Sequence, residues 1–278
     1  MPAAGDLLKL PAEVFCMKYV SPGYIAAALA DFLMPRECIV CGRQLLVHER
    51  HLCLECLSDM PLTYFWNNAE NPMAHRYNEV LARRGSENGV RMKYSYAAAL
   101  YYYNAASGYG RLSQALKYHH DIPAGRFLAV MLGNRLKGGS LFTDVSAVLP
   151  VPLHWTRRLS RGYNQAEIIA EEVARIFGVP MLSGILRRHR RTRTQTKLHG
   201  KDKEKNVRGA FSVDRKAFDR LMNDTGGCVH VLIVDDVFTT GSTLASCHEA
   251  LLQAMGEAAF PSDKLRVSVA TLGYVGEI

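Results

Sequence analysis

The run Val231-Leu-Ile-Val234 does most to limit what this chain can fold into: four consecutive apolar residues, three of them β-branched, are followed at once by Asp235 and Asp236. An alternating pattern would mark a strand with one wet face. A continuous run marks a strand covered on both faces, the habit of parallel sheets in α/β proteins. After Val237-Phe238, the small residues Thr239, Thr240, Gly241, Ser242 and Thr243 lead into a periodic stretch that predicts a helix over Thr243–Met255. Open α/β sheets bind ligands beyond the C-terminal ends of their strands, and this strand ends in groups suited to binding.

The neighbouring sequence alternates in the same way. Tyr94–Tyr103 reads as an aromatic-rich strand, Gly110–Tyr118 and Ala124–Leu136 as amphipathic helices, and Ala147–Val151 as a short buried strand. Asn164–Phe177 predicts a helix, and Val179–Leu182, Phe211–Val213 and Leu265–Leu272 predict strands. The fold class expected is α/β, a parallel sheet flanked by helices, and 278 residues leave room for a small second domain. The organisation expected is a lead-in and helix over 1–34, a cysteine module over 35–66, a polar linker over 67–90 and the α/β domain over 91–278. Asp6, Lys9 and Glu13 interrupt any signal peptide, and the apolar stretch Tyr24–Met34 contains Asp31 and falls short of the roughly 20 residues that cross a bilayer. The expectation is a cytoplasmic protein with no membrane span.

The acid pair and the turn after it have complementary chemistries. Ionised carboxylates only accept hydrogen bonds, so Asp235 and Asp236 suit vicinal sugar hydroxyls or a hydrated magnesium ion. Backbone amides and hydroxyls of Thr239–Thr243 at a positive helix end suit a phosphate dianion, and Gly241 permits its close approach. Each half alone would be an ordinary strand end or helix cap; together they point to a ligand. A Gly-x4-Gly-Lys-Ser/Thr phosphate loop is absent from the chain.

Charge is concentrated in one place. Arg187 to Arg208 holds ten Lys or Arg against two acids, which accounts for the whole net charge of +8. A second cationic stretch, Arg157, Arg158 and Arg161, follows the Ala147–Val151 strand. Either can meet an anionic ligand. Within the first, Arg193, Gln195 and Lys197 are candidate contacts. Single-stranded DNA is an alternative partner for that segment, but it contains no Phe, Tyr or Trp to interleave with the cations, which favours a loop closing over a small anion.

Cys38-Ile-Val-Cys41 and Cys53-Leu-Glu-Cys56 are two Cys-x2-Cys knuckles, the spacing of a closed structural zinc site, with His48 and His51 as possible replacement ligands. Across Arg36–Met60 there are three Arg and four acids, so this module lacks the cationic excess that nucleic acid draws on. Structural support or a protein partner suits it better.

The Val231–Leu244 stretch resembles the ligand-binding signature of type I phosphoribosyltransferases. That resemblance implies that Asp235 and Asp236 contact the ribose of phosphoribosyl pyrophosphate with Mg2+, and that Thr239, Thr240, Gly241, Ser242 and Thr243 hold its 5-phosphate. It also implies a pyrophosphate loop carrying Arg157 and Arg161 and a lid carrying Arg193, Gln195 and Lys197. Together with the cysteine knuckles, Lys117-Tyr-His-His-Asp121 and Arg161-Gly-Tyr-Asn-Gln165, the chain resembles the ComF family from about Met34 onward. Membership would imply a phosphoribosyltransferase-like domain with an N-terminal zinc ribbon, linked to DNA uptake in competent bacteria. It leaves open a transferase with an unknown acceptor or a non-catalytic accessory handling single-stranded DNA.

Overall fold

The computed structural model describes residues 34–87, 93–118, 121–189, 209–224, 228–257 and 264–276. The chain divides into two compact units, one ending at Met60 and the other starting at Pro61. The predicted helix before Met34 lies outside the described residues.

The first unit is built around its cysteines. Gly42 takes φ +76 and donates to the Cys38 carbonyl (2.8 Å), closing the first knuckle. A five-residue helix, α1 (Leu54–Ser58), carries the second knuckle, and the Cys53 sulfur accepts from the Cys56 amide at its start (3.4 Å).

The second unit centres on four parallel strands in the order β1 (Ala97–Tyr102), β6 (Leu265–Tyr274), β5 (Val229–Phe238), β2 (Ala147–Pro150). Val229 and Val231 through Val234 are all fully buried, as the continuous apolar run requires. Helices α4 (Ile122–Gly138) and α6 (Gln165–Phe177) pack on each other, with α4 against β1 and β6 and α6 against β2 and β5. Helices α2 (Pro72–Glu87) and α8 (Ser242–Glu257) pack on each other, with α2 against β1 and α8 against β5 and β6. The helices α3 (Gly110–Tyr118), α5 (Trp155–Arg161) and α7 (Arg215–Asp224) also belong to this unit, with a separate antiparallel pair, β3 (Leu186–Arg188) and β4 (Phe211–Val213).

Four expectations need correction. The stretch 67–90 is not a linker: α2 occupies most of it and buries Met73, Ala74, Tyr77, Leu81 and Arg84, a helical stripe partly hidden in the sequence by its arginine. Residues 61–66 belong with the second unit, because Tyr102 donates to Pro61 (2.8 Å) and Thr63 to Leu100 (3.1 Å) along the free edge of β1. Val179–Leu182 makes only a single parallel bridge, Met181 with Val148. The strand at Val231 also runs further than predicted, so Asp235 and Asp236 lie within β5.

At the N-terminal end of the sheet, buried His230 bonds Asp144 through Nδ1 (2.7 Å) and Ser268 through Nε2 (2.8 Å), tying β5 to β6 and to the turn before β2. Burial lowers its pKa against the opposing pull of Asp144. His248 on α8 meets the Tyr77 hydroxyl through Nδ1 (3.1 Å), and burial lowers its pKa from 6.5 to about 4. The unfolded chain therefore takes up a proton at His248 first as pH falls. The stability associated with neutral His248 is complete above pH 6.5 and is lost on the way down to about 4. We expect the unfolding free energy of wild type to fall by about 3 kcal/mol more than that of His248→Gln between pH 7.5 and 4. Urea unfolding at the two pH values measures this, and parallel losses in both proteins would contradict it.

Candidate functional site

Parallel pairing sets the position of the site. β2 ends at Pro150 opposite Val234, whereas β5 continues to Phe238, so Asp235 and Asp236 lie on a strand end that has outrun its neighbour. Asp235 Oδ1 accepts from the Asp236 amide (2.9 Å). Burial, and then the adjacent Asp236 charge, push the Asp235 carboxyl up to about 7.

A cation answers this pair from α3. Lys117 Nζ lies 2.8 Å from Asp236 Oδ2. Burial opposes the charge on Lys117, but Asp236 and Asp235 outweigh that effect and raise its pKa. Lys117 was legible only as part of a family-like segment; nothing in its local sequence says that it reaches the carboxylates. In the same segment Asp121 caps α4, its Oδ1 accepting from the Ala124 amide (3.0 Å).

The turn after β5 is held open by its glycine. Gly241 has φ +74, and a Cβ there would lie 2.8 Å and 2.9 Å from atoms of the Phe238 ring. Thr240 Oγ1 lies 3.1 Å from Ser242 Oγ, and α8 begins at Ser242, with Ala245 donating to the Gly241 carbonyl (2.9 Å). The first-turn amides of α8 have no intrahelical acceptor, and they share the positive end of a 16-residue helix. This is an anion-binding geometry next to an acid pair.

Helix α2 braces that turn, a role not apparent from a stretch read as a linker. Arg76 donates to the carbonyls of Val275 (2.8 Å) and Thr239 (3.0 Å), clasping the ends of β6 and β5. Tyr77 packs edge-on against Phe238, with ring centroids 6.4 Å apart. Arg84, 1% exposed, donates to Glu249 Oε2 (3.1 Å), Ser246 Oγ (3.0 Å) and the Ser242 carbonyl (3.4 Å). These contacts hold the start of α8 against α2.

The cationic stretch after β2 lies beside the same sheet edge. Asn164 ties it down by donating to the Val151 carbonyl (3.0 Å) and accepting from the Ala166 amide (3.2 Å) as the cap of α6. Arg161 donates to Gln165 Oε1 (3.3 Å), and Arg158 pairs with Glu167 (3.4 Å). Arg157 is on α5, but its side chain lies outside the described residues, as do Arg193, Gln195 and Lys197.

In the first unit, the sulfur atoms of Cys38, Cys41, Cys53 and Cys56 all lie within 4.8 Å of one another. Tetrahedral ligation with metal–sulfur bonds of about 2.3 Å spaces sulfurs about 3.8 Å apart, and Cys41 and Cys53 are 3.8 Å apart. The cluster can hold a metal ion such as zinc. Its ligand atoms are the four sulfurs; neither His48 nor His51 is among them. Arg43 donates to Cys53 (3.4 Å), placing a cation against the thiolates.

No family model matches the chain. It is 38% identical over 112 residues to Competence protein F of Haemophilus influenzae, covering 40% of this chain and 45% of that protein. It is 35% identical over 106 residues to the DNA utilization protein YhgH of Salmonella typhi, covering 38% and 43%. To Competence protein ComFC of Bacillus subtilis it is 28% identical over 106 residues, 38% of each chain. These similarities agree with the resemblance to the ComF family read from the sequence. The matches span less than half the length of these curated relatives. Among the described residues, no helix is long and apolar enough to cross a membrane.

The brace between α2 and α8 is testable by substitution. Arg84→Met leaves the Glu249 carboxylate without its buried partner and should cost about 3–5 kcal/mol, whereas the double change Arg84→Met, Glu249→Leu should recover most of it. Urea unfolding of the three proteins decides the matter. A single-variant loss below about 1 kcal/mol would show that the pair does not brace α8.

Proposed function

We propose that this protein binds phosphoribosyl pyrophosphate with Mg2+ and transfers the phosphoribosyl group to an acceptor with release of pyrophosphate. The observation supporting this reading is the juxtaposition of Asp235 and Asp236 at the open end of β5 with a glycine turn at the start of α8. A phosphoribosyltransferase-like fold accords with the all-parallel sheet and with the order strand, acid pair, turn, helix.

On this reading the amides and hydroxyls of Thr239, Thr240, Gly241, Ser242 and Thr243 bind the 5-phosphate, which fixes the sugar in the plane of the sheet edge. Asp235 and Asp236 accept from the ribose hydroxyls and orient the anomeric carbon. The acceptor forms its bond to that carbon as the bond to the pyrophosphate oxygen breaks, the electron pair leaving with pyrophosphate. Negative charge grows on the leaving group and needs cations beside it. Arg157 and Arg161 after β2, and Arg193, Gln195 and Lys197 of the basic segment, are the residues we assign to that end. Mg2+ arriving with phosphoribosyl pyrophosphate would supply further charge stabilisation of the leaving group.

A second reading draws on the relatives, whose names speak of competence and DNA utilization. In it, the same site senses the ligand without turnover, and the protein serves as an accessory in handling incoming single-stranded DNA, with the cysteine module as a contact for a protein partner. We read that module as a structural zinc ribbon, its four thiolates closing the coordination sphere.

Isothermal titration with phosphoribosyl pyrophosphate and Mg2+ tests the binding claim. Asp235→Asn, Asp236→Asn should weaken binding by roughly tenfold to a hundredfold, since each carboxylate accepts charge-assisted hydrogen bonds. Wild type binding no better than the double variant would defeat the reading. Pyrophosphate release with a panel of bases and amines separates transferase from sensor. For the cysteine module, metal analysis should find one zinc per chain, lost in Cys38→Ser, with stripping by a chelator unfolding the first unit. Purified protein devoid of zinc, or zinc retained by Cys38→Ser, would count against a ribbon.

A further inference from the structure

We propose that Lys117 is the built-in counter-cation of the acid pair, and that through it the site accepts a sugar phosphate without a divalent ion to neutralise its carboxylates. This inference rests on the reading of Asp235, Asp236 and the Thr239–Thr243 turn as a ribose-phosphate site.

The first argument is geometric. The Lys117 side chain is 25% exposed and that of Asp236 16%, so the pair is neither a surface contact nor sealed away. Lys117 stands in the last turn of α3, where the negative end of the helix favours a cation. That helix is fastened at two points. The hydroxyl of Tyr101, a fully buried β1 residue, lies 3.4 Å from Ser113 Oγ, and the Tyr163 hydroxyl donates to the Leu116 carbonyl. The ammonium is thus delivered to the carboxylates by anchored structure, which spares it much of the entropy a free surface lysine would lose on pairing.

The second argument is electrostatic. A sugar phosphate brings a dianion to a turn three residues beyond Asp236, where two carboxylates already repel it. A divalent ion is one remedy. Lys117 is another, already in place on Asp236 Oδ2, an oxygen that a metal ion would otherwise take. Lys117 is therefore a positioning residue. It offsets the acid pair so that the pair can accept from sugar hydroxyls beside the phosphate, and it competes with any divalent ion arriving alone.

Ribose 5-phosphate is the suitable probe, because it lacks the pyrophosphate that itself chelates magnesium. By calorimetry, wild type should bind it with affinities equal within about twofold in EDTA and in Mg2+. Lys117→Met should lose roughly tenfold or more in EDTA and regain much of that with Mg2+, while Lys117→Arg keeps metal-independent binding. Lys117→Gln serves as a second replacement should methionine disturb the helix end. Titration with Mn2+ alone, followed by electron paramagnetic resonance, should show roughly tenfold tighter binding to Lys117→Met than to wild type. Wild-type binding of ribose 5-phosphate only with Mg2+, or variants indistinguishable from wild type in EDTA, would overturn the proposal. If phosphoribosyl pyrophosphate with Mg2+ still binds in that case, only the role of Lys117 falls. If wild type binds neither compound, the site reading falls with it.

Discussion

Two carboxylates next to each other at the end of a buried strand repel one another, and Lys117 is placed to offset that repulsion. Asp235 is pushed up to about 7 by burial and by Asp236, and Lys117 sits on Asp236 at 2.8 Å. A chain would not keep such a pair for stability alone, since apolar residues would end β5 at lower cost. On the function we propose, a bound ligand completes the charge balance. The positive end of α8 close by suits an anionic group on the sugar phosphate we propose as ligand.

The second dependency is mechanical. The anion site we propose at the turn amides depends on the turn keeping its shape, and the turn is held from outside. Arg76 fixes the Thr239 carbonyl, Tyr77 supports Phe238 beneath Gly241, and Arg84 secures Ser242. All three come from α2, more than 150 residues earlier in the chain. The long-range order of the turn therefore comes from a helix outside the strand and turn themselves, the kind of outside support that preorganised sites need.

How much of this was legible in the sequence follows from what each residue answers to. The run Val231–Val234 reported a buried parallel strand because its two faces meet the same apolar surroundings. The turn was legible because glycine, serine and threonine there have local reasons to occur together. Arg84 misled for the opposite reason: an arginine within an amphipathic stripe reads as solvated until its partner Glu249 is known, and that partner is set by tertiary packing. Lys117 is a similar case, a lysine at the end of an amphipathic helix whose distant carboxylates no local pattern announces. The strand predicted over Val179–Leu182 shrank to one bridge. Pro180 has no amide to donate, so this short stretch can add little to the β2 edge.

The most direct measurement is a crystal structure of the protein with ribose 5-phosphate or phosphoribosyl pyrophosphate and magnesium bound. Our account predicts the 5-phosphate within hydrogen-bond distance of the amides of Thr240 to Thr243, with the ribose hydroxyls on Asp235 and Asp236. A sugar phosphate seated on the arginines of α5 with the Thr239–Thr243 turn left empty would contradict it.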